Sequence, residues 1–217
     1  MIFLSDGYIA NGSEPWLFPQ EDELPAIEVS FVESLQEGEA LLPYKRNDFF
    51  VRPWIKPGTT GLEHRIGGLE KQVDTGNVAY DPINHETMVR LRAAKVKAIE
   101  DFIPLAKPDS GREGAKLVIL GWGSTYGAIK SAVKELLAER YDIAHIHLKH
   151  INPFPRNLGE LLHQFDQVLV PEMNSGQLLQ LVRAKYLVPA IGYSKVQGQP
   201  FTTAEMKERI LQLLNGN

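Results

Sequence analysis

Cysteine is absent from this 217-residue chain. Its absence excludes a disulfide, a thiolate nucleophile and a cysteine-ligated iron–sulfur cluster within the chain. Apolar runs long enough to span a bilayer are missing too, and the start, MIFLSDGY, lacks the basic lead and long apolar region of a signal peptide. The net charge of −4 argues against the basic field of a nucleic-acid binder. We therefore expect a soluble, cytoplasmic protein that contacts neither nucleic acid nor membrane.

The part of the sequence from 115 to 217 alternates short apolar runs with amphipathic stretches. This alternation predicts an α/β domain with a doubly wound parallel sheet and right-handed crossovers. Three of its helix starts carry Asn157, Asn174 and Thr202 as expected caps, each with Glu or Gln three residues later. The predicted strands are 116–120, 143–148, 167–170 and 188–193. The predicted helices are 125–139, 158–164, 175–186 and 203–214.

Residues 1–114 have a less regular pattern. Ile2–Leu4 is typical of a buried strand, and the alternation around Ile27 and Val29 predicts a half-exposed one. The sequence 52–84 is irregular, which in a compact domain suggests a segment that binds something or wraps a neighbour. Asn84 is expected to cap a helix that runs to about Ile99. We expect three parts, with boundaries at 1–57, 58–114 (wrapping segment, helix and linker 103–114) and 115–217.

The turn LGWGSTYGAI follows the first strand of the α/β domain and contains Gly121, Gly123 and Gly127. Its glycine spacing is one step off the dinucleotide fingerprint, and the next strand ends without an acid for a ribose, so nicotinamide or flavin binding is disfavoured. Two interpretations stay open. The turn binds an anion with its backbone N–H groups, or its glycines let the helix pack closely while Ser124 or Thr125 caps it.

Two further groups of residues are candidates for a site. Glu172 and Asn174 follow the strand 167–170, at the sheet edge where ligands of open α/β sheets gather. Glu172 would either bind a ligand or a neighbouring subunit, or lie favourably near a helix N-terminus. His64 and Arg65 lie in a glycine-rich loop, where the arginine would contact a carboxylate or phosphate or be an ordinary surface charge.

The histidines in HIHLKH place His145 and His147 on one face of a strand, with His150 beyond it. Two histidines on one face can begin a zinc site, but a third ligand is needed and none is obvious nearby. We therefore expect no metal site. No nucleophile elbow and no Walker loop occurs either, and no catalytic residue is predicted.

Long ordered stretches of the chain resemble the alpha subunits of 2-oxoacid:ferredoxin oxidoreductases, most closely those of the 2-oxoglutarate (2-ketoglutarate) type. The matching stretches occur in the same order as in the family and cover most of the chain, and only 17–57 has no recognisable motif. The stretches are LSDGYIANGSEPW (4–16), GTTGLEHRIGGLEKQVDTGNVAYDPINHETMVRLRAAKV (58–96), LGWGSTYGAI (120–129), HLKHINPFPRNLGELL (147–162) and VLVPEMNSGQLLQLVRAKYLV (168–188).

The resemblance covers the C-terminal part of such a subunit. It implies that 1–16 ends a thiamine-pyrimidine-type domain and that 115–217 is a transketolase C-terminal-like domain. The family's pyrimidine-activating glutamate and its substrate-recognition motif have no counterpart here, so the resemblance implies no catalytic residue. Thiamine diphosphate, Mg²⁺ and an iron–sulfur cluster would belong to the full complex, none being bound by this chain alone.

The implied activity of that complex is the oxidative decarboxylation of a 2-oxoacid to an acyl-coenzyme A, with electrons passed to ferredoxin. The implied partners are the beta subunit and the N-terminal part of alpha, with ferredoxin and coenzyme A reached through the complex. This chain would supply structure and subunit contacts and be inactive alone. Three alternatives stay open: a free-standing module that binds coenzyme A or another anion, a homologue specific for pyruvate or another 2-oxoacid, and a non-catalytic paralogue that competes for the beta subunit.

Overall fold

The computed structural model describes residues 10–13, 15 and 17–216. The expected strand at Ile2–Leu4 lies outside these residues. The chain forms two compact units, one being Trp16–Phe102 and the other containing Ile103–Asn217. Within the described ranges, no helix is both long and apolar enough to cross a membrane.

The unit that contains Ile103–Asn217 is built on a twisted sheet. Its described strands follow the order β1-β3-β2-β4-β5, in which β1 is antiparallel to β3 and all other neighbours are parallel. The chain runs from β2 outward to β3, then crosses back to β4 and β5 on the other side, as the doubly wound prediction requires. The strands are β1 Ser110–Gly111, β2 Leu117–Trp122, β3 Ile143–Leu148, β4 Gln167–Glu172 and β5 Ile191–Ser194.

Five α-helices lie wholly within the described ranges. The first belongs to the Trp16–Phe102 unit and the other four follow the strands of the sheet. Single 3-10 turns occupy Glu21–Glu23, Ile99–Asp101 and Gly123–Thr125. The α-helices are α1 Pro82–Ala98, α2 Tyr126–Ala138, α3 Leu158–Leu162, α4 Gln177–Tyr186 and α5 Thr203–Leu214.

Two apolar cores cover the two faces of the sheet, because successive strand side chains point to opposite sides. Leu117 and Ile119 of β2 pack with α2 and α5 on one face, where Ile129 and Met206 are fully buried. Val118 and Leu120 pack with α3 and α4 on the other face. Helices on both faces are what a parallel sheet needs, since neither face of it can be left to water. The α/β fold class predicted for this region is confirmed.

The segment 103–114, expected as a linker, is partly paired with the sheet. Asp109 donates its backbone N–H to the His145 carbonyl at 2.7 Å, and Ser110–Gly111 forms β1 against β3. Gly111 comes so close to β3 that a Cβ there would lie 2.1 Å from the Ile143 carbonyl oxygen. The composition of this segment gave no sign of the pairing, because two residues of Ser and Gly carry no strand pattern.

The expected capping bonds are present at Thr202 and, from outside the helix, at Asn174, but absent at Asn157. Thr202 caps α5, with its side chain accepting from Glu205 N and Glu205 bonding back to Thr202 N. Asn157 precedes α3 but makes no capping bond, because its side-chain amide pairs instead with the backbone N–H and carbonyl of Ala106, both at 2.8 Å. The N-cap position of α4 is Gly176 rather than Asn174.

The Trp16–Phe102 unit contains one long helix and otherwise irregular chain. The predicted strand around Ile27 and Val29 is wrong, since these residues are exposed and lie outside any strand. Helix α1 begins one turn earlier than expected, because Asp81 is its N-cap and Pro82 its first residue. Asn84 is instead buried, bonding Val73 N and the Lys71 carbonyl. Its amide therefore ties α1 to the loop before it.

Candidate functional site

The carboxyl ends of β2 and β4 meet at the switch point of the sheet. These two strands are parallel neighbours, and the chain leaves them toward opposite edges of the sheet. Ligands of open α/β sheets bind in this kind of crevice. Two of the candidate segments follow these strands: Gly123–Thr125 follows β2, and Glu172 ends β4. The fold thus brings the glycine turn and the Glu172 segment together.

Side-chain contacts join the two segments. The Trp122 indole N–H donates to Glu172 Oε1 at 3.3 Å, and the Ser124 hydroxyl lies 3.4 Å from the Met173 sulfur. Sequence reasoning assigned no role to Trp122. The only available signal was an indole donor placed between two glycines, directly after a buried strand.

Glu172 is fully buried and accepts hydrogen bonds from the first turn of α4. Its Oε1 accepts from Leu178 N at 2.8 Å and its Oε2 from Leu179 N at 3.0 Å. Asn174 Oδ1 accepts from the backbone N–H groups of Gly176 and Gln177 at 2.8 and 3.0 Å. A carboxylate at a helix N-terminus is stabilised by the helix dipole and by these donors. The positive end of α4 is therefore occupied by the chain's own side chains.

In the glycine turn, close packing requires a glycine at position 121, whereas the space around Gly123 is empty. A Cβ at Gly121 would lie 2.5 Å from the Ile129 Cδ1 of α2, so only glycine fits there. Gly123 has a φ of +55° and is exposed, and a Cβ there would meet nothing within 4 Å. Thr125 is buried, donates its hydroxyl to the Trp122 carbonyl at 2.8 Å and accepts from Trp122 N at 3.2 Å. These contacts are those of a packed turn. Anion binding there stays a prediction.

His145 and His147 are on one face of β3, and Tyr126 of α2 packs against both rings. The ring of Tyr126 is 5.6 Å from that of His145 and 4.7 Å from that of His147. Burial lowers the pKa of His145 to about 4, helped by His147 and Lys130 and opposed by Asp109. Burial also lowers the pKa of His147. Within the described residues, no group of three or more His, Asp or Glu is arranged to hold a metal ion.

The remaining candidates, His64 and Arg65, lie in the other unit. His64 Nδ1 is 2.8 Å from the Leu62 carbonyl oxygen, and Arg65 is exposed. The role of Arg65 as an anion contact stays a prediction.

Comparisons with known proteins identify relatives of this chain. Residues 115–206 match the family model of the pyruvate:ferredoxin oxidoreductase core domain II. The 2-oxoglutarate oxidoreductase subunit KorA of Mycobacterium tuberculosis is 44% identical over 217 residues, which is 100% of this chain and 32% of that protein. The 2-oxoglutarate synthase subunit KorA of Methanocaldococcus jannaschii is 29% identical over 70% of this chain and 41% of its own length.

A solved structure agrees with these sequence matches. The 2-oxoglutarate:ferredoxin oxidoreductase from Magnetococcus marinus, with 2-oxoglutarate, coenzyme A and succinyl-CoA bound, superposes with a TM-score of 0.81 and 28% identity. The superposition covers 89% of this chain and 34% of that one. The parallel sheet and its matches therefore define a piece of an oxidoreductase subunit.

The particular family follows from the relatives that match along the chain. The chain belongs to the family of the 2-oxoacid:ferredoxin oxidoreductase alpha subunits, and it is similar to their 2-oxoglutarate members. It spans about a third of the length of the M. tuberculosis relative.

Proposed function

We propose that this chain acts as the C-terminal part of the alpha subunit of a 2-oxoglutarate:ferredoxin oxidoreductase. The observation that carries the proposal is the 44% identity along the whole chain to one such subunit. The superposition on 89% of the chain supports it in three dimensions. The complex would oxidatively decarboxylate 2-oxoglutarate to its acyl-coenzyme A and pass the electrons to ferredoxin in the cytoplasm. A pyruvate-specific or other 2-oxoacid-specific complex is the alternative.

The contribution proposed for this chain is structure and subunit contact. In the Trp16–Phe102 unit, Leu17, Phe18 and Ile27 are 94, 80 and 85% exposed. An apolar cavity of about 890 Å³ also opens among residues 27–55. Large exposed apolar areas mark surfaces that another protein covers. The beta subunit and the N-terminal part of alpha are the partners that we propose for this surface.

Thiamine diphosphate, Mg²⁺ and an iron–sulfur cluster would be held by those partners. The chain has no cysteine for a cluster, and its described residues form no group of three or more His, Asp or Glu for a metal. The residues present therefore do not fit an iron–sulfur cluster or a bound metal ion, and no reaction step is assigned to the cofactors. The chain is expected to be inactive by itself.

The test is purification from the native cells with an affinity tag at the chromosomal C-terminus. We expect a thiamine-binding beta subunit and the N-terminal part of alpha, on the same or a separate polypeptide, to be recovered. The recovered complex should reduce a viologen dye when 2-oxoglutarate and coenzyme A are both present. Pyruvate in place of 2-oxoglutarate serves as the substrate control. Recovery of a 217-residue chain alone would contradict the proposal.

A second proposal is that the glycine turn binds coenzyme A or another anion as part of a free-standing module. It is supported by the position of Gly123 at the switch point, exposed and with open space around it. Titration calorimetry of the 217-residue chain with coenzyme A tests it, with Ser124→Ala and Gly123→Ala as variants. A folded chain that releases no heat of binding would rule it out.

A further inference from the structure

A cavity of about 500 Å³ in the Trp16–Phe102 unit is lined by more cationic than anionic side chains. We call it the arginine cavity. Its volume lies within the range of small-molecule sites. Five of its lining side chains are cationic: Arg46, Arg52, Lys71, Arg92 and Lys95. Glu70 is the single carboxylate among its lining residues. This local excess of positive charge contrasts with the net charge of −4 of the whole chain.

The one carboxylate of the arginine cavity is already engaged. Glu70 Oε1 lies 3.2 Å from Arg92 Nη1, and its Oε2 lies 2.6 Å from His85 Nδ1. Within the described ranges, Arg52, Lys71 and Lys95 have no ion pair. Glu70 therefore balances only a small part of the positive charge.

Arg52 and Arg92 lie close enough to Arg46 to repel its charge. The pKa of Arg46 is lowered chiefly because burial penalises the charged form. Asp74 and Tyr44 oppose this lowering, and the repulsion from Arg92 and Arg52 adds to it more weakly. Like charges that are held together in this way favour the binding of an anion, which relieves the repulsion.

Contacts with backbone and ring atoms hold three of the cations in place. Arg46 Nη1 donates to the carbonyls of Tyr44 and Val73 at 3.0 and 3.1 Å. The Arg52 guanidinium lies over the Tyr44 ring, 5.3 Å from its centroid. Lys71 is 5% exposed, and its ammonium donates to the carbonyls of Gly67 and Leu69. Because these groups are positioned in advance, a ligand would lose little free energy in ordering them.

The nature of the ligand follows from the number and kind of these groups. Arginine forks match the oxygens of carboxylates and phosphates, but an excess of four positive charges exceeds what one carboxylate neutralises. Apolar side chains, among them Phe50, Ile66 and Leu91, also line the cavity and offer a surface to an organic group. We propose that the arginine cavity binds an organic diphosphate, with Arg52, Arg92 and Lys95 contacting the phosphates. This binding is separate from the proposed function of the subunit.

The experiment is titration calorimetry of the full 217-residue chain with ADP and, separately, with inorganic pyrophosphate. The test variant is Arg52→Gln/Lys95→Gln. The matched control is Arg90→Gln/Lys97→Gln, which removes the same two kinds of charge, both from exposed positions of α1 outside the cavity lining. We expect one saturable site, a Kd raised at least ten-fold in the test variant, and a control within two-fold of the unaltered chain.

Three results would overturn the proposal. They are the absence of saturable binding of either probe at millimolar concentration, an equal loss of affinity in both double variants, and unchanged affinity in the test variant. ADP should bind at least ten-fold more tightly than pyrophosphate. Equal affinities would overturn the role given to the apolar lining.

A second measurement locates the site without any substitution. Hydrogen exchange of the unaltered chain should slow on addition of ADP in the segments 44–52, 66–71 and 88–95. Slowing confined to the unit containing Ile103–Asn217 would place the ligand elsewhere and contradict the proposal.

Discussion

The two units of this chain differ in whether their apolar side chains are buried or exposed. Every large side chain that is fully buried among the described residues belongs to the unit containing Ile103–Asn217, from Leu117 to Ile210. Among the described residues of Trp16–Phe102, the buried hydrophobic ones are Leu62 and Met88. Of the nineteen large hydrophobic residues that are exposed in the described part of the chain, fifteen lie in this unit. One unit therefore has its own core, whereas the other presents its apolar residues outward.

The difference shows how regular structure and core formation depend on each other. A parallel sheet buries two rows of side chains per strand, so a short sequence gains much apolar burial, about 25 cal/mol for each Å² removed from water. The Trp16–Phe102 unit has no sheet in its described residues, and it is held by individual hydrogen bonds such as those of Asn84 and Arg46. Single bonds contribute only about 0.5–1.5 kcal/mol each. This unit is accordingly the one in which we expect a partner to contribute most to stability.

The largest effect that would test this comparison is expected from Ile119→Ala. Ile119 is fully buried in β2, and truncation leaves a cavity that the close-packed core cannot fill. We expect a loss of about 2–5 kcal/mol in the free energy of unfolding, measured by urea denaturation followed by circular dichroism. Ile27→Ala, in the other unit at 85% exposure, is the matched control, with an expected change below about 0.5 kcal/mol. Similar losses in the two variants would refute the contrast.

An intermediate effect is expected from acid, through His145. Its pKa is about 4 in the folded chain against 6.5 in the unfolded one, so the unfolded chain takes up the proton first as the pH falls. Stability should therefore decrease from pH 6.5 downward, by about 3 kcal/mol at pH 4 at about 1.4 kcal/mol per pH unit. His145→Leu should flatten this decrease, with the remaining slope in the same direction because the pKa of His147 is lowered too.

The measurement is the urea midpoint of the chain at pH 7.5 and at pH 4.5. His150→Gln, at an exposed position just beyond β3, is the control and should keep the full decrease. A decrease of unchanged size in His145→Leu would show that other groups cause it.

The smallest of the three effects is expected from Glu172→Gln. The amide keeps the size of the side chain but replaces one acceptor oxygen with a donor that faces backbone N–H groups. We expect a loss of about 1–3 kcal/mol, seen as faster hydrogen exchange of the Leu178 and Leu179 amides at the start of α4. Glu113→Gln, in an exposed loop, should leave this exchange unchanged. Unchanged exchange in Glu172→Gln as well would remove the capping role given to this carboxylate.

The sheet could be predicted from the sequence where each element had a clear period. The strand 143–148 and the helix 203–214 match the structure residue for residue, because an apolar run and an amphipathic helix with a Thr202 cap leave little choice. The alternation at Ile27 and Val29 was misleading, since a strand also needs a neighbour with which to pair. Sequence pattern carries no information about that neighbour.

The candidate site was predictable in position but not in contacts. The sequence placed Glu172 and the glycine turn at the ends of buried strands, and the fold brings them together. The donor from Trp122 lies 50 residues away in the chain, and the donors from the first turn of α4 depend on the conformation of the loop after β4, so neither has a sequence signature. The arginine cavity was not predicted from the sequence, because its cations come from separate segments and do not form a local basic run.

The pairing of β1 with β3 has a consequence for self-association. β3 has the sequence IAHIHL, and its outer edge is covered by the short strand Ser110–Gly111 and by the bonds of Asp109 to His145 and His147. An uncovered apolar edge strand is a template for pairing with another chain and for aggregation. A shortened chain that starts at 115, where the family match starts, would lose this cover. Residues 109–111 thus occupy backbone groups of β3 that a second molecule would otherwise be able to pair with.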